Sequence, residues 1–196
     1  MRLTATAQVS VDGVMQGPGA PVPGFVEAGG FERDGWAHFD DEAGTVMDGI
    51  YERADAFLFG RRTYDLFAGS WGIWDDPGGS PIWTALHTRP KYVASTTAFE
   101  PEWANTTVLT GDVLSTIREL KAEAGGELQV HGSGDLFRLL LAEELVDEIK
   151  LFIFPVVVGA GARLFAESGP ELALELVESR TTPSGVTVQV YRPAGR

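Results

Sequence analysis

Cysteine is absent from the 196 residues, which excludes disulfides and thiolate metal sites and makes the reducing cytoplasm the expected location. Histidine is scarce: His38, His87 and His131 are scattered, with neither an H-E-x-x-H motif nor another ligand spacing, so metal catalysis is not expected. No apolar run reaches the ~18 residues of a membrane span. The longest apolar stretch, LFIFPVVVGAGA, is interrupted by Pro155, and the opening MRLTATAQVSV has no apolar targeting core. Positive charge is short as well. The 15 Lys and Arg stand against 28 Asp and Glu, a net charge of −13 spread along the chain, which argues against nucleic acid or anionic membrane as partners. An anionic ligand would have to be held locally, by clustered backbone N–H groups and one or two arginines.

What is present is a chain 44% hydrophobic and 22% charged, with no repeat or linker, and one globular domain over residues 1–196 is expected. Leu3, Ala5, Ala7, Val9 and Val11 alternate with polar residues as in a strand that ends at Asp12-Gly13. From Val14 to Gly35 come six glycines and three prolines, too many breakers for a helix, so this long loop is either disordered slack or a lid, running Met15–Gly35. Ala43, Val46, Met47, Ile50, Tyr51 and Ala54 then fall on one helical face. AFLFG followed by RRTYDLF is strand, turn and helix. Gly69 to Pro90 reads as irregular with one helical turn near Trp83–His87, its tryptophans filling core gaps. KYVAS and TVLT are short strands, and DVLSTIRELKAEAGG is a capped helix with Val113, Ile117 and Leu120 inward. A strand closes at Gly132, a helix follows, DEIKLFIFPVVVG is a strand bent or ended at Pro155, and the tail is a hairpin around Pro183-Ser184-Gly185. The alternation predicts an α/β fold with a mostly parallel sheet and an antiparallel edge.

Two corners share one chemistry. FLFGRRTY (Phe57–Tyr64) and QVHGSGDL (Gln129–Leu136) each pass from a strand end through glycine into a helix start. A helix amino terminus presents free N–H groups and about half a positive charge, and glycine lets a phosphate approach the backbone. Two such corners, one carrying Arg61 and Arg62, suit a diphosphate, although each glycine alone equally well makes a tight turn. Ser95, Thr96 and Thr97 close a third strand with hydroxyls.

The order of VDG strand, glycine-rich loop, acid-headed helix, LFGRRTY, KYVAST, LQVHGSGDL and VDEIKLFIFPVVVGAGARLF resembles the dihydrofolate reductase superfamily, specifically the branch of the riboflavin-biosynthesis reductase domain (the RibD C-terminal domain) and its stand-alone relatives. The resemblance spans the chain nearly end to end. It implies a dihydrofolate reductase-like α/β domain, commonly a homodimer, that binds NADPH and passes hydride to a dihydropterin or an aminouracil ribitol or riboside compound, as an oxidoreductase of the dihydrofolate reductase or 5-amino-6-(5-phosphoribosylamino)uracil reductase type. By the same resemblance, Gly60, Arg61, Arg62 and Thr63 meet the pyrophosphate and adenosine phosphate, and Ser95 and Thr96 the 2′-phosphate. Gly132, Ser133, Gly134 and Asp135 form the second pyrophosphate corner, and Ala7, Gln8 and Met15 flank the nicotinamide, Gln8 on the catalytic side. Dihydrofolate reductases proper have two adjacent glycines at that second corner; here the pair is Gly132-Ser133, and serine offers a hydroxyl to phosphate. The pterin-anchoring carboxylate falls among Asp40, Asp41 and Glu42. Helical spacing turns Asp40 toward the sheet, where it reads equally as catalytic carboxylate and as N-cap.

Two other readings compete. His131, Ser133 and Asp135 supply the residue types of a hydrolytic triad, but around one turn they cannot face one another, and no G-x-S-x-G elbow is present. A non-catalytic dinucleotide-binding module of the same fold is compatible with every motif above.

Overall fold

The structure is a computed structural model that describes residues 1–20, 31–165, 169 and 171–195; the middle of the predicted lid, residues 21–30, lies outside the described residues. In chain order the elements are β1 (Arg2–Ser10), α1 (Asp41–Glu52), β2 (Ala54–Gly60), α2 (Arg61–Gly69), α3 (Pro81–Thr88), β3 (Lys91–Ala94), β4 (Thr106–Leu109), α4 (Val113–Ala122), β5 (Glu127–His131), α5 (Gly134–Ala142), β6 (Glu148–Phe154), β7 (Leu174–Thr181) and β8 (Thr187–Pro193). They build one eight-stranded sheet in the order β4-β3-β2-β5-β1-β6-β8-β7. The first six in that order pair in parallel, and β8 and β7 add an antiparallel edge. Pro155 lacks the N–H that would extend the ladder, and β6 stops at the residue before it.

Two differences from the sequence reading have local causes. Ala54, expected on the helix, opens β2 instead, because the Arg53 N–H closes α1 on the carbonyls of Ile50 and Tyr51. The Trp-rich segment holds an eight-residue helix, α3, rather than a single turn. Its start signal is Ser80-Pro81: the serine hydroxyl accepts the Trp83 N–H and proline occupies the first helical position, where no N–H is needed.

Both faces of the parallel strands are covered, so their alternation separates two interiors rather than core from solvent. On one face Leu3, Ala5, Ala7, Leu128, Val130, Ile149 and Leu151 pack with Ile117 and Leu120 of α4 and Leu136, Phe137 and Leu140 of α5. On the other, Phe57, Phe59, Phe152 and Phe154 pack beneath Ala43, Met47, Ile50 and Tyr51 of α1. Burying each such phenylalanine is worth about 1.5–3 kcal/mol. Between these aromatics the α1 side is polar. Thr4, Thr6, Glu127, Gln129, His131, Glu148 and Lys150 are all buried there. Register sets them side by side, Thr6 lying between His131 and Lys150.

Candidate active site

The carboxyl ends of β2 and β5 bring the two glycine corners into contact. Gly60 and Ser133 are the N-caps of α2 and α5, and neither helix receives a side-chain cap. The other three helices are capped by Asp40, Ser80 and Asp112. The first-turn N–H groups of α2 and α5 therefore point outward without a protein oxygen as cap, two adjacent sources of partial positive charge. The corners are tied together. The Gly60 N–H donates to Ser133 Oγ at 3.0 Å, and the Ser133 N–H donates to Thr63 Oγ1 at 3.2 Å. Ser133 Oγ in turn donates to the His131 carbonyl at 3.3 Å. The hydroxyl expected to meet a phosphate is thus engaged in locking one corner to the other.

Backbone conformation explains the residue types at the second corner. Gly132 and Ser133 are both left-handed, with φ of 59° and 53°. For serine this costs energy that its three hydrogen bonds offset. No cis peptide occurs among the described residues. At Gly134 a Cβ would stand 2.7 Å from Met15 Sδ, so glycine lets the Met15 thioether lie against the start of α5, and any larger residue would push it aside.

A cavity of about 290 Å³ opens beside these corners. Of the residues singled out from sequence, Gln8, Met15, Arg62, Thr63, Gly132, Ser133, Gly134 and Asp135 line it. Gly60 lies immediately behind Ser133. The ends of the glycine-rich loop reach the same place: Gln16, Gly17 and Pro18 line the cavity, and the Trp36 indole N–H donates to the Gln16 carbonyl at 2.8 Å.

Other expected residues stand elsewhere. Ala7 points to the opposite face of the sheet, among the α4 and α5 contacts. Arg61 turns back along α2, its Nε 2.8 Å from Asp65 and its guanidinium 3.6 Å above the Phe99 ring. Ser95 closes its own turn, donating to the Thr97 carbonyl at 2.7 Å, and Thr96 is exposed. Asp40 is outside the cavity. Its carboxylate accepts from the Ala43 N–H at 2.8 Å and the Ser184 N–H at 2.9 Å, capping α1 and pinning the β7–β8 turn to it. Those hydrogen bonds, with that from Thr182, hold its carboxyl well below the usual carboxylate range. The triad residue types do not converge either: His131 pairs with Gln129, and the Asp135 carboxylate is exposed and paired with Arg138.

The cavity's inner wall comes from residues that the resemblance does not mark: the sequence presents Thr6 and Tyr51 as secondary structure only, and His131 enters only the hydrolytic and metal readings. Thr6, Tyr51 and His131 line it, and Tyr51 stacks on His131 with ring centroids 4.2 Å apart. His131 Nε2 lies 2.9 Å from Gln129 Oε1, and Gln129 donates to Glu127 at 2.8 Å. Glu127 also binds Lys150 at 3.0 Å and Arg2 at 2.7 Å. Burial raises the Glu127 carboxyl, but Lys150 and these hydrogen bonds outweigh it and bring the pKa to about 2. Burial, followed by the charge of Lys150, lowers His131 to about 3, so the imidazole is neutral near pH 7. Beneath the first-turn amides, then, the inner wall of Thr6, Tyr51 and His131 offers polar atoms without charge, and the charged residues of the lining, Arg62, Asp135 and Arg138, stand on α2 and α5. A second cavity, about 540 Å³, lies between α1 and β6, β8 and β7; of the expected residues it is lined by Glu42 alone, one of the three candidate carboxylates.

The model of the RibD C-terminal domain matches residues 2–188. The chain belongs to the RibD C-terminal domain family. That is a family of reductases on a dihydrofolate reductase-like fold, whose members bind NADP(H). Among relatives of this RibD C-terminal domain is the uncharacterized protein YyaP of Bacillus subtilis (strain 168), 32% identical over 174 residues that cover 86% of this chain and 88% of YyaP. A putative riboflavin biosynthesis protein from Shewanella sp. PV-4 superposes with a TM-score of 0.70 at 23% identity, covering 98% of this chain and 99% of that one. Dihydrofolate reductase from Enterococcus faecalis, in complex with NADP(H) and RAB-propyl, superposes with a TM-score of 0.62 at 14% identity, covering 98% and 96%. The eight-stranded, mostly parallel sheet with its antiparallel β6-β8-β7 edge is thus the dihydrofolate reductase-like α/β fold.

Proposed function

We propose that this RibD C-terminal domain is an NADPH-dependent reductase that transfers hydride to a small nitrogen heterocycle of the dihydropterin or aminouracil ribitol or riboside type. The observation that carries the reading is the pair of uncapped helix termini, hydrogen-bonded to each other beside the cavity in a protein of net charge −13. Amides without a cap at the mouth of a cavity suit a diphosphate, which needs donors and not a globally positive surface. About 290 Å³ accommodates a ring and its nearest substituents rather than a whole dinucleotide. The remainder of the cofactor then lies over α2 and α5, with Arg62, Thr63 and the first-turn amides of α5 as its holders.

When bound, NADPH supplies the hydride, and the protein needs no nucleophile of its own. The chain's task is to align donor and acceptor carbons and to exclude water. Met15, Met47 and Tyr51 supply apolar walls for that purpose, and Gln8 and Thr6 supply polar atoms without charge. The supply of a proton is less well served. Asp40 is engaged as a cap, and the carboxylate at the cavity, Asp135, is exposed and paired with Arg138. That favours a second reading, a dinucleotide-binding module without turnover. It is distinguished by NADPH binding combined with no oxidation of NADPH in the presence of dihydropterins or aminouracil ribosides.

The test of the main reading is a titration with NADPH and NADH, in wild type and Arg62→Ala. The variant should bind NADPH about tenfold or more weakly and change little toward NADH, since a charge-assisted contact is worth about 1.5–3 kcal/mol. Equal losses remove the preference for NADPH, and absence of any binding by wild type removes the reductase. We further propose a cytoplasmic homodimer and a role in reducing a riboflavin-type pyrimidine precursor, in keeping with the family.

A further inference from the structure

Gln129 is the pivot of the buried polar face beneath α1. Its Nε2 donates to the Ile50 carbonyl at 2.6 Å and to Glu127 Oε2 at 2.8 Å. A carbonyl oxygen and a carboxylate only accept, so the orientation of the amide is forced and both of its hydrogens are used. The atom facing His131 Nε2, at 2.9 Å, is therefore Gln129 Oε1, which also only accepts. Nε2 must carry the ring hydrogen. A neutral imidazole has one such hydrogen, and the low pKa of about 3 keeps this ring neutral. Nδ1 is left with a bare lone pair and forms no hydrogen bond among the described residues.

Directly opposite His131 in the parallel ladder is Thr6. It is 3% exposed, its Oγ1 has no hydrogen-bond partner among the described residues, and both residues line the same cavity. A buried hydroxyl left unpaired destabilises a protein by about 1–3 kcal/mol. An acceptor and a donor-or-acceptor thus stand side by side, both uncharged and neither satisfied among the described residues.

We infer that Thr6 and His131 form a specificity pair that reads a neutral amide edge of the ligand, His131 Nδ1 accepting its N–H while Thr6 Oγ1 donates to its carbonyl oxygen. Gln129 and Glu127 are positioning residues, acting through the tautomer of His131. A lactam or a primary carboxamide presents that donor–acceptor edge. A charged amidinium does not: it offers two donors and requires a carboxylate, and the carboxylate at this cavity, Asp135, is exposed and paired with Arg138. The identity of the ligand rests on the reductase reading above. Within it, the edge belongs either to the nicotinamide carboxamide or to the lactam of a pyrimidinone or pteridinone substrate.

Thr6→Val tests the pair, because it keeps the shape and deletes a hydroxyl that bonds nothing among the described residues. Its melting temperature should equal or exceed that of wild type. Calorimetric titrations would use NADPH, 2′-phospho-ADP-ribose, which lacks the nicotinamide, and 5,6-diaminouracil as a neutral lactam. Thr6→Val should weaken NADPH or diaminouracil about tenfold and leave 2′-phospho-ADP-ribose unchanged, while Thr6→Ser retains wild-type affinity. Loss toward NADPH assigns the pair to the carboxamide, and loss toward diaminouracil assigns it to the substrate. Unchanged affinity for both ligands, or an equal loss in Thr6→Ser, overturns the inference. A wild type that binds diaminouracil through Thr6 but no dinucleotide would leave the pair standing and remove the reductase; binding of neither removes both.

Discussion

Acid should destabilise this protein through His131 by an amount the structure allows one to calculate. The ring is buried under Tyr51, with Gln129, Lys150 and Glu127 around it. Burial and then Lys150 lower its pKa from 6.5 to about 3, with Glu127 pulling the other way. Because the folded value is the depressed one, the unfolded chain binds a proton between pH 6.5 and 3 that the folded chain refuses. The contribution is therefore complete above 6.5 and is lost as pH falls toward 3. At pH 5 the unfolded imidazole is protonated about 30-fold over its neutral form, which converts to roughly 2 kcal/mol. That is a sizeable part of the ~5–15 kcal/mol that holds an ordinary domain together. Urea unfolding at pH 7.5, 6 and 5 would compare wild type with His131→Gln, which cannot titrate. Wild type should lose about 2 kcal/mol more than the variant between pH 7.5 and 5. Glu127 titrates in both proteins and cancels in the difference. Parallel profiles would refute the placement of a neutral, buried imidazole against the cavity.

Two other outcomes follow from the geometry. Asp40→Ala should lower the melting temperature, since it frees the Ala43 and Ser184 N–H groups and unpins the β7–β8 turn; a folded Asp40→Ala protein that no longer binds nucleotide would show instead that this carboxylate reaches the ligand. β7 is the outer strand of the sheet, with Leu176 52% and Val177 45% exposed, so it is the surface on which a homodimer would form. Light scattering should return twice the chain mass for wild type and the monomer mass for Leu176→Glu, whereas a monomeric wild type would eliminate the homodimer.

Much of the architecture was legible because it rests on local signals. Alternation in β1, the apolar face of α1 and the breakers at Gly60 and Gly132 each follow from residue types within a few positions of one another. The corners were legible for the same reason: a strand that ends in glycine and runs into a helix leaves few alternatives. What failed to show was long-range. The Ser133 hydroxyl reaches Gly60, 73 positions earlier, and the carboxylate of Asp40 reaches Ser184, 144 positions later, so a phosphate donor in one case and a catalytic acid in the other could not be told from a tie and a cap. Thr4 and Thr6 show in the sequence only as the polar half of an alternating strand, a pattern that by itself marks a side facing solvent. In a parallel sheet covered on both faces there is no such side, and the matching run of Glu127, Gln129 and His131 on β5 was the available sign of a shared polar interior.

That interior also resolves the apparent conflict between an acidic protein and an anionic ligand. Glu127 and Glu148 face Arg2, Lys150 and Arg192 within 2.7 to 3.6 Å, so the two buried carboxylates behind the site are matched by the buried Lys150 and the half-exposed Arg2 and Arg192. Surface carboxylates act through water, and at ~0.1 M salt their field decays over about 10 Å. The amides of α2 and α5 act at contact distance, in a partly enclosed site where the dielectric is lower. Net charge therefore governs how often an anion arrives, while the fixed dipoles govern how firmly it is held. Evolution can vary the surface acids without disturbing the site, provided that the corner tie between Gly60 and Ser133 and the line from Glu127 through Gln129 to His131 stay intact.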